Sequence, residues 1–171
     1  MELIKIKITK KDIDYAKQQT EDFDKTKLFN KYECDNNYFG FLGEYLFDKT
    51  FSKKIAPKFK YEWLGFFRDN WNDPDFIISG KSFDLKTTVG THLEVQTPKF
   101  DYYIFSRINP NEPKDLLLIS FISGNKIQRL IKEDSLNKVK RGSNEFNCIY
   151  LNQMTPIERF LERLGVDLHG L

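Results

Sequence analysis

Hydrophobic and polar residues alternate most clearly over 72–88, NDPDFIISGKSFDLKTT, where two short alternating runs flank Ser79-Gly80. Alternation of this kind is typical of β-strands with one buried face, and a serine–glycine pair between two such runs indicates a tight turn. The pattern predicts a β-hairpin in which Asp75–Ile78 and Ser82–Thr88 are joined by a two-residue turn.

The register of this hairpin decides which side chains share a face. A two-residue turn places Asp75 opposite Asp84, with Lys86 on the same face as both acids. Opposed carboxylates repel each other unless a cation neutralises them, so this face is a candidate site for a divalent ion. A three-residue loop over Ser79–Lys81 would instead put Asp75 on the opposite face from Asp84 and Lys86. The other face of the two-residue hairpin is apolar: Phe76, Ile78, Phe83 and Leu85.

Periodicity elsewhere predicts a mixed α/β domain with a central sheet. The predicted strands are Leu3–Ile8, Tyr61–Phe67, Tyr102–Ile108, Leu116–Ile122 and Asn147–Leu151. The predicted helices are Lys10–Asp22 after a Thr9–Asp12 capping box, the apolar Tyr38–Phe51, and one starting at Thr155-Pro156. The segment Lys126–Asn137 fits either a strand edge or a short helix.

Composition adds limits to this picture. A chain of 171 residues with 40% hydrophobic residues fits one domain with a substantial core. The net charge of +2 is too small for general attraction to nucleic acid.

The cysteines and the hydropathy pattern bear on location. Cys34 and Cys148 match no metal-binding spacing, and reduced thiols are favoured over a disulfide, which stays an alternative. No apolar run approaches the roughly 20 residues of a membrane helix, and the N-terminus lacks a signal-peptide pattern. We therefore expect a cytoplasmic protein that does not bind membranes.

One acid stands out in the apolar second helix. Glu44 lies beside Gly43, with Gly40 one turn earlier, and glycine inside a helix costs about 1 kcal/mol relative to alanine. Small residues there allow another backbone, such as the sheet, to approach closely. Glu44 is then aimed at a metal or cation, or it pairs with a lysine at the helix edge.

The order of Glu44 on a helix, Pro74-Asp75 at one strand and Asp84-Leu85-Lys86 on its hairpin partner resembles the PD-(D/E)XK nuclease superfamily. Eight residues separate the two strand motifs. The resemblance implies a single restriction-endonuclease-like α/β domain whose core runs α-β-β-β-α-β and spans about 38–122. A strand and helix in 1–30 and another pair in 145–165 are additions to that core. Val89–Lys99 contains Gly90 and Pro98 and makes a poor helix, so we expect the second helix of that core to be reduced or replaced by a loop.

The resemblance also implies an activity, the hydrolysis of DNA phosphodiester bonds with Mg²⁺, for which Mn²⁺ substitutes. Asp75, Asp84 and the Leu85 backbone carbonyl would bind the ion, with Glu44 binding through water. The ion would activate the attacking water, and Lys86 would orient that water or stabilise the transition state. An ordinary cross-strand ion pair is the alternative for Lys86.

Other residues are weaker candidates for contacts with DNA. The side chains that could touch phosphate or bases are Lys53, Lys54, Lys58, Lys60, Thr88 and Gln96. Solvated surface loops explain them equally well. The apolar stripe of the last helix is either a homodimer interface or part of the core, and the lysine- and asparagine-rich composition is typical of an AT-rich genome such as a viral one. In that case the location is the host cytoplasm.

Two further functions compete with the metal-dependent endonuclease. One is a nucleic-acid-binding module that retains the nuclease fold without catalysis. The other is a structural or partner-binding protein in which Asp75, Asp84 and Lys86 form only a surface ion network.

Overall fold

The computed structural model describes residues 3–25, 38–65 and 73–167, and these residues form an α/β fold. The helices are α1 (Lys10–Lys25), α2 (Tyr38–Ile55), α3 (Gly124–Lys132) and α4 (Ile157–Arg163). The strands are β1 (Ile4–Lys7), β2 (Tyr61–Trp63), β3 (Phe76–Ile78), β4 (Lys81–Thr88), β5 (Leu93–Val95), β6 (Tyr102–Ile108), β7 (Asp115–Ser123), β8 (Asn137–Arg141), β9 (Asn144–Ile149) and β10 (Thr155–Pro156).

Most strands belong to one mixed sheet. Its order is β1-β7-β6-β4-β3-β2, and the short β10 pairs with β7. β4 and β6 run parallel, whereas the other neighbouring pairs are antiparallel. The predicted central mixed sheet flanked by helices is therefore confirmed. The remaining strands form a second, antiparallel sheet in the order β5-β9-β8, which the sequence did not indicate.

Two hydrophobic clusters hold the layers together. The larger cluster packs α1, α2 and α4 against one face of the main sheet and contains Phe47, Phe76, Leu85 and Leu161. The smaller cluster lies on the other face, where strands of the second sheet and α3 cover β6 and β7. Each side of the main sheet thus has its own apolar core, as burial of both faces requires.

The hairpin of β3 and β4 has the predicted two-residue turn. Phe76 pairs with Phe83 and Ile78 with Lys81, so the register that the candidate site requires is present. Ser79 and Gly80 have φ of 50° and 76°, and two positive values in succession are the conformation that fits the twist of a tight hairpin. The three-residue alternative is excluded.

The helices begin and end close to the predicted positions, with some corrections. The Asp12 carboxylate accepts a hydrogen bond from the Thr9 backbone N–H at 2.9 Å, which confirms the capping box of α1. α2 continues to Ile55, so Lys53 and Lys54 lie in its last turn and not in a loop. Pro156 is the N-cap residue of α4 and not its first helical residue.

Three further outcomes concern the second half of the chain. The Lys126–Asn137 segment contains a helix, α3, and ends at the start of β8, an unpredicted strand that carries the basic cluster 138–141. The apolar stripe of α4 is buried in the larger cluster, so it closes the core and offers no exposed dimer interface. Residues 89–101 form a loop with the short strand β5, and no helix lies between β4 and β6.

Candidate functional site

Strand β4 separates an apolar environment from a charged one. Phe83 and Leu85 belong to the larger hydrophobic cluster on the α2 side of the sheet. Asp84 and Lys86 alternate with them and therefore project to the other face. Asp84 lies beside Tyr103 of β6 in the parallel register, and Tyr103 belongs to the smaller cluster. The charged pair is thus positioned by the burial of its sequence neighbours.

Gly43 lets α2 approach β4 very closely. A Cβ atom at this position would lie 1.8 Å from the Thr87 hydroxyl oxygen and 3.1 Å from a Leu85 methyl carbon. No side chain larger than hydrogen fits there without movement, so the predicted reason for a glycine is confirmed. Gly40 does not share this role, because a Cβ at Gly40 would meet nothing within 4 Å.

Asp84 and Lys86 form an ion pair at the edge of a cleft. Lys86 Nζ lies 3.0 Å from Asp84 Oδ1, and the side chain of Lys86 is 49% exposed whereas that of Asp84 is 4% exposed. The second carboxylate oxygen, Oδ2, is buried and has no hydrogen-bond partner among the described residues. A buried carboxylate oxygen without a partner is unfavourable and is a position where a cation or polar ligand would be stabilised.

Asp75 directly precedes β3 and supports β4 through its side chain. Its Oδ2 accepts a hydrogen bond from the Leu85 backbone N–H at 2.6 Å, and its own N–H donates to the Phe83 carbonyl at 2.8 Å. Asp75 is only 1% exposed. The carboxylate therefore extends the ladder between the two strands beyond the end of β3, a structural role that the sequence did not predict.

Glu44 is buried next to Gly43 and contributes to the electrostatic field at Lys86. Partial desolvation lowers the pKa of Lys86, but the negative charges of Asp84, Asp75 and Glu44, together with the hydrogen bond to Asp84, outweigh it and raise that pKa above its ordinary value. The three acids predicted as catalytic thus all act on the charge of the Lys86 ammonium.

The donor set fits a hard divalent cation only in part. Within the described ranges, no group of three or more His, Cys, Asp or Glu side chains is close enough to hold a metal ion. Asp84 Oδ2 is an available carboxylate oxygen, whereas one oxygen of Asp75 is engaged by the Leu85 N–H. An ion here would keep most of its water ligands, which Mg²⁺ commonly does in proteins.

A cleft of about 380 Å³ opens beside this pair, and we call it the Asp84 cleft. Its wall combines β4 and β6 with β5 and β9 of the second sheet. The lining residues are Asp84, Lys86, Glu94, Val95, Gln96, Thr97, Lys99, Phe100, Tyr103 and Phe146. Of these, only Asp84, Lys86 and Gln96 were predicted as site residues. Tyr103 lies on β6, which was predicted as a strand. The other six residues come from the second sheet and from the loop before β6, and the pattern along the chain held no signal for them.

The loop that carries Lys99 and Phe100 is held rigidly. The Tyr103 hydroxyl accepts hydrogen bonds from the Lys99 and Phe100 backbone N–H groups at 2.8 and 3.3 Å. The Asp101 N–H donates to the Ser82 hydroxyl at 2.9 Å. Because side-chain hydroxyl oxygens accept hydrogen bonds from all these N–H groups, Lys99 and Phe100 are held in a defined position at the cleft.

The predicted basic DNA contacts are separate from this cleft. Lys53, Lys58 and Lys60 are exposed and Lys54 is half-buried, but none of the four lines the Asp84 cleft. Lys58 Nζ donates to the Gly165 carbonyl oxygen. Thr88 lies at the end of β4, where its hydroxyl accepts a hydrogen bond from the Gly90 N–H at 2.9 Å, so its side chain caps a turn.

Three observations bear on the remaining expectations. Comparison of the chain with protein-family models, with curated proteins and with solved structures found no match. None of the helices in the described ranges is both long and apolar enough to cross a membrane. Cys148 is buried with a free thiol, and Cys34 lies outside the described residues.

Proposed function

We propose that this protein is a metal-dependent nuclease that hydrolyses phosphodiester bonds of DNA at the Asp84 cleft. The observation that carries the proposal is the Asp84–Lys86 pair, in which a buried carboxylate keeps one oxygen without a partner beside a half-exposed ammonium. Structural ion pairs do not require an open cleft or an oxygen left without a hydrogen bond.

The order of elements supports the same proposal. A helix with a buried acid, α2, is followed by the strands β2, β3 and β4, and then by β6, which runs parallel to β4. This order corresponds to the α-β-β-β-α-β core that the PD-(D/E)XK resemblance implies, with the loop containing β5 in place of the second helix. The restriction-endonuclease-like fold is part of the proposal.

The chemistry follows from the groups at the cleft. Asp84 and Asp75 would hold Mg²⁺ through carboxylate oxygens, and Glu44 would add negative charge from α2. Such an ion would supply charge stabilisation to the phosphate and a water of lowered pKa. Lys86, whose raised pKa keeps it protonated at neutral pH, places a positive charge where negative charge develops in the transition state.

A second candidate is a nucleic-acid-binding module without catalysis. It is favoured by the absence, within the described ranges, of a three-ligand acidic group and by the engagement of Asp75 with the Leu85 N–H. In such a module the acids would stabilise β4 only, and Lys86 would contact phosphate as a simple cation.

The decisive experiment compares the cutting of supercoiled plasmid DNA by the wild-type protein and by Asp84→Asn, with Mg²⁺ or Mn²⁺ and with EDTA. Asparagine keeps the shape of the side chain and removes its charge, so we expect cutting to fall to the EDTA background while the protein stays folded. Binding of Mn²⁺, followed by electron paramagnetic resonance, is expected to weaken in parallel.

The matched control is Glu62→Gln, which removes an exposed acid from β2 of the same sheet. This variant is expected to cut like the wild type. Equal background cutting by wild type and Asp84→Asn would reject the nuclease, and DNA binding that persists without any cutting would favour the binding module.

A further inference from the structure

A second pocket adjoins the Asp84 cleft. It has a volume of about 340 Å³ and lies between α3 and the strands of the second sheet. Gln96 and Thr97 line both cavities, so these two residues form a shared wall. We call the second cavity the amide pocket, because Gln96, Gln128 and Asn147 contribute side-chain amides to it.

A buried residue of β9 holds the shared wall in place. Asn147 is 7% exposed, and its side-chain nitrogen donates hydrogen bonds of 3.1 Å to the carbonyl oxygens of both Val95 and Gln96. These bonds prevent the end of β5 from moving into either cavity. The distance between the two cavities is therefore set by the fold, which is the condition for two pockets to bind one extended ligand.

One cation along the two cavities is not balanced by an acid among the described residues. Lys86 is paired with Asp84 at 3.0 Å and Lys138 with Glu145 at 3.2 Å, and Glu94 is paired with Arg141 at 2.8 Å. Lys132 has no acidic partner within the described ranges and adds uncompensated positive charge to the amide pocket.

The sizes of the cavities favour an unpaired strand. Each has about the volume of a small-molecule site, roughly 300–1,000 Å³, and admits one nucleotide at a time. Phe100 and Phe146 contribute aromatic rings to the lining of the Asp84 cleft, and Gln128 contributes a side-chain amide to the amide pocket that can meet a base edge. Stacking and edge contacts of this kind require bases that are splayed out of a duplex.

From this arrangement we infer that the two cavities form one binding path for single-stranded DNA. The phosphodiester to be cut lies at Asp84 and Lys86, the chain crosses Gln96 and Thr97, and the neighbouring nucleotide occupies the amide pocket with Lys132 on its phosphate. The inference rests on the proposed function for the site of cutting, but the binding path can be tested without cutting.

The test measures DNA binding by fluorescence anisotropy in EDTA at several salt concentrations. The fluorescein-labelled ligands are oligothymidylates, from a dinucleotide to an octanucleotide, and a blunt hairpin duplex. We expect the octanucleotide to bind more tightly than the dinucleotide and the duplex. Lys132→Gln should lower the salt dependence of octanucleotide binding by about 0.7 in the slope of log K against log salt, the value for one phosphate contact on a single strand.

The control is Lys126→Gln on the same helix, at a position that does not line the amide pocket. It should leave the slope unchanged. An unaltered slope in Lys132→Gln, or a duplex that binds as tightly as the single strand, would overturn the binding path. Cutting of plasmid and of single-stranded DNA is assayed in parallel. If Lys132→Gln changes the salt slope but the wild type does not cut, the nuclease is rejected and the binding path stands. If the wild type cuts but Lys132→Gln leaves the salt slope unchanged, the binding path alone is rejected.

Discussion

The two faces of strand β4 differ in what they border: one borders a closely packed helix, the other an open cleft. On the α2 side, Leu85 and Thr87 meet Gly43 at a distance that excludes even a methyl group. On the other side, Asp84 and Lys86 border an open cleft of about 380 Å³. The comparison indicates that tight packing on one face fixes the strand, so that Asp84 and Lys86 on the other face keep their positions although they border an open cleft.

The largest expected effect is on the packed face. Gly43→Ala forces a methyl group against Thr87 and Leu85, and we expect it to lower the free energy of unfolding by about 1–3 kcal/mol, as overpacking does. Urea denaturation monitored by tryptophan fluorescence measures this loss.

Gly40→Ala is the matched control for Gly43→Ala, because a Cβ at Gly40 meets nothing within 4 Å in the same helix. It should leave stability unchanged or raise it by up to about 1 kcal/mol through helix propensity. Equal destabilisation by both substitutions would show that α2 does not pack on β4 through Gly43.

An effect in the same range is expected at the junction between the faces. Asp75→Ala removes the acceptor of the buried Leu85 N–H, and an unsatisfied buried donor costs about 1–3 kcal/mol. Asp75→Asn keeps a carbonyl oxygen there and should cost less, although both variants lose the negative charge. The difference between their urea midpoints isolates the hydrogen bond, and identical midpoints would show that Asp75 acts on stability through charge alone.

The smallest effect is expected on the open face and depends on pH. Since the folded-state pKa of Lys86 is raised above its ordinary value of 10.5, its charge stabilises the folded protein below that pH and ceases to do so as pH rises through the folded-state pKa. The difference in stability between wild type and Lys86→Met should stay constant from neutral pH to about pH 10 and shrink above it. A difference that grows in alkali would mean that the acids do not stabilise the ammonium.

The sequence predicted the part of the site that depends on local pattern. Alternation and the Ser79-Gly80 turn predicted the two-residue turn that the structure shows, and strand parity then determines which side chains share a face. A three-residue loop stayed open as an alternative, so the sequence alone did not decide the register. The close contact at Gly43 was predictable for a similar reason, since a glycine in an apolar helix has a conformational cost that a close approach explains.

The cleft wall was not predictable because it depends on pairing between distant strands. β5 has only three residues, Leu93–Val95, and too short an alternating pattern to be distinguished from a loop. The basic run 138–141 shows no clear alternation of hydrophobic and polar residues, yet its strand β8 pairs with β9 and brings Arg141 within hydrogen-bond distance of Glu94. Non-local pairing of this kind leaves little trace in the residues themselves.

The pairing of β5 with β9 also determines when the site can form during folding. Val95 lies opposite Asn147, and the hydrogen bond between them spans 52 positions of the chain. The β3–β4 hairpin, by contrast, closes over a two-residue turn and needs only local contacts. As local contacts form faster than distant ones, the acids should be in register before the cleft has its second wall. During synthesis from the N-terminus, the complete cleft therefore arises only after β9 has emerged.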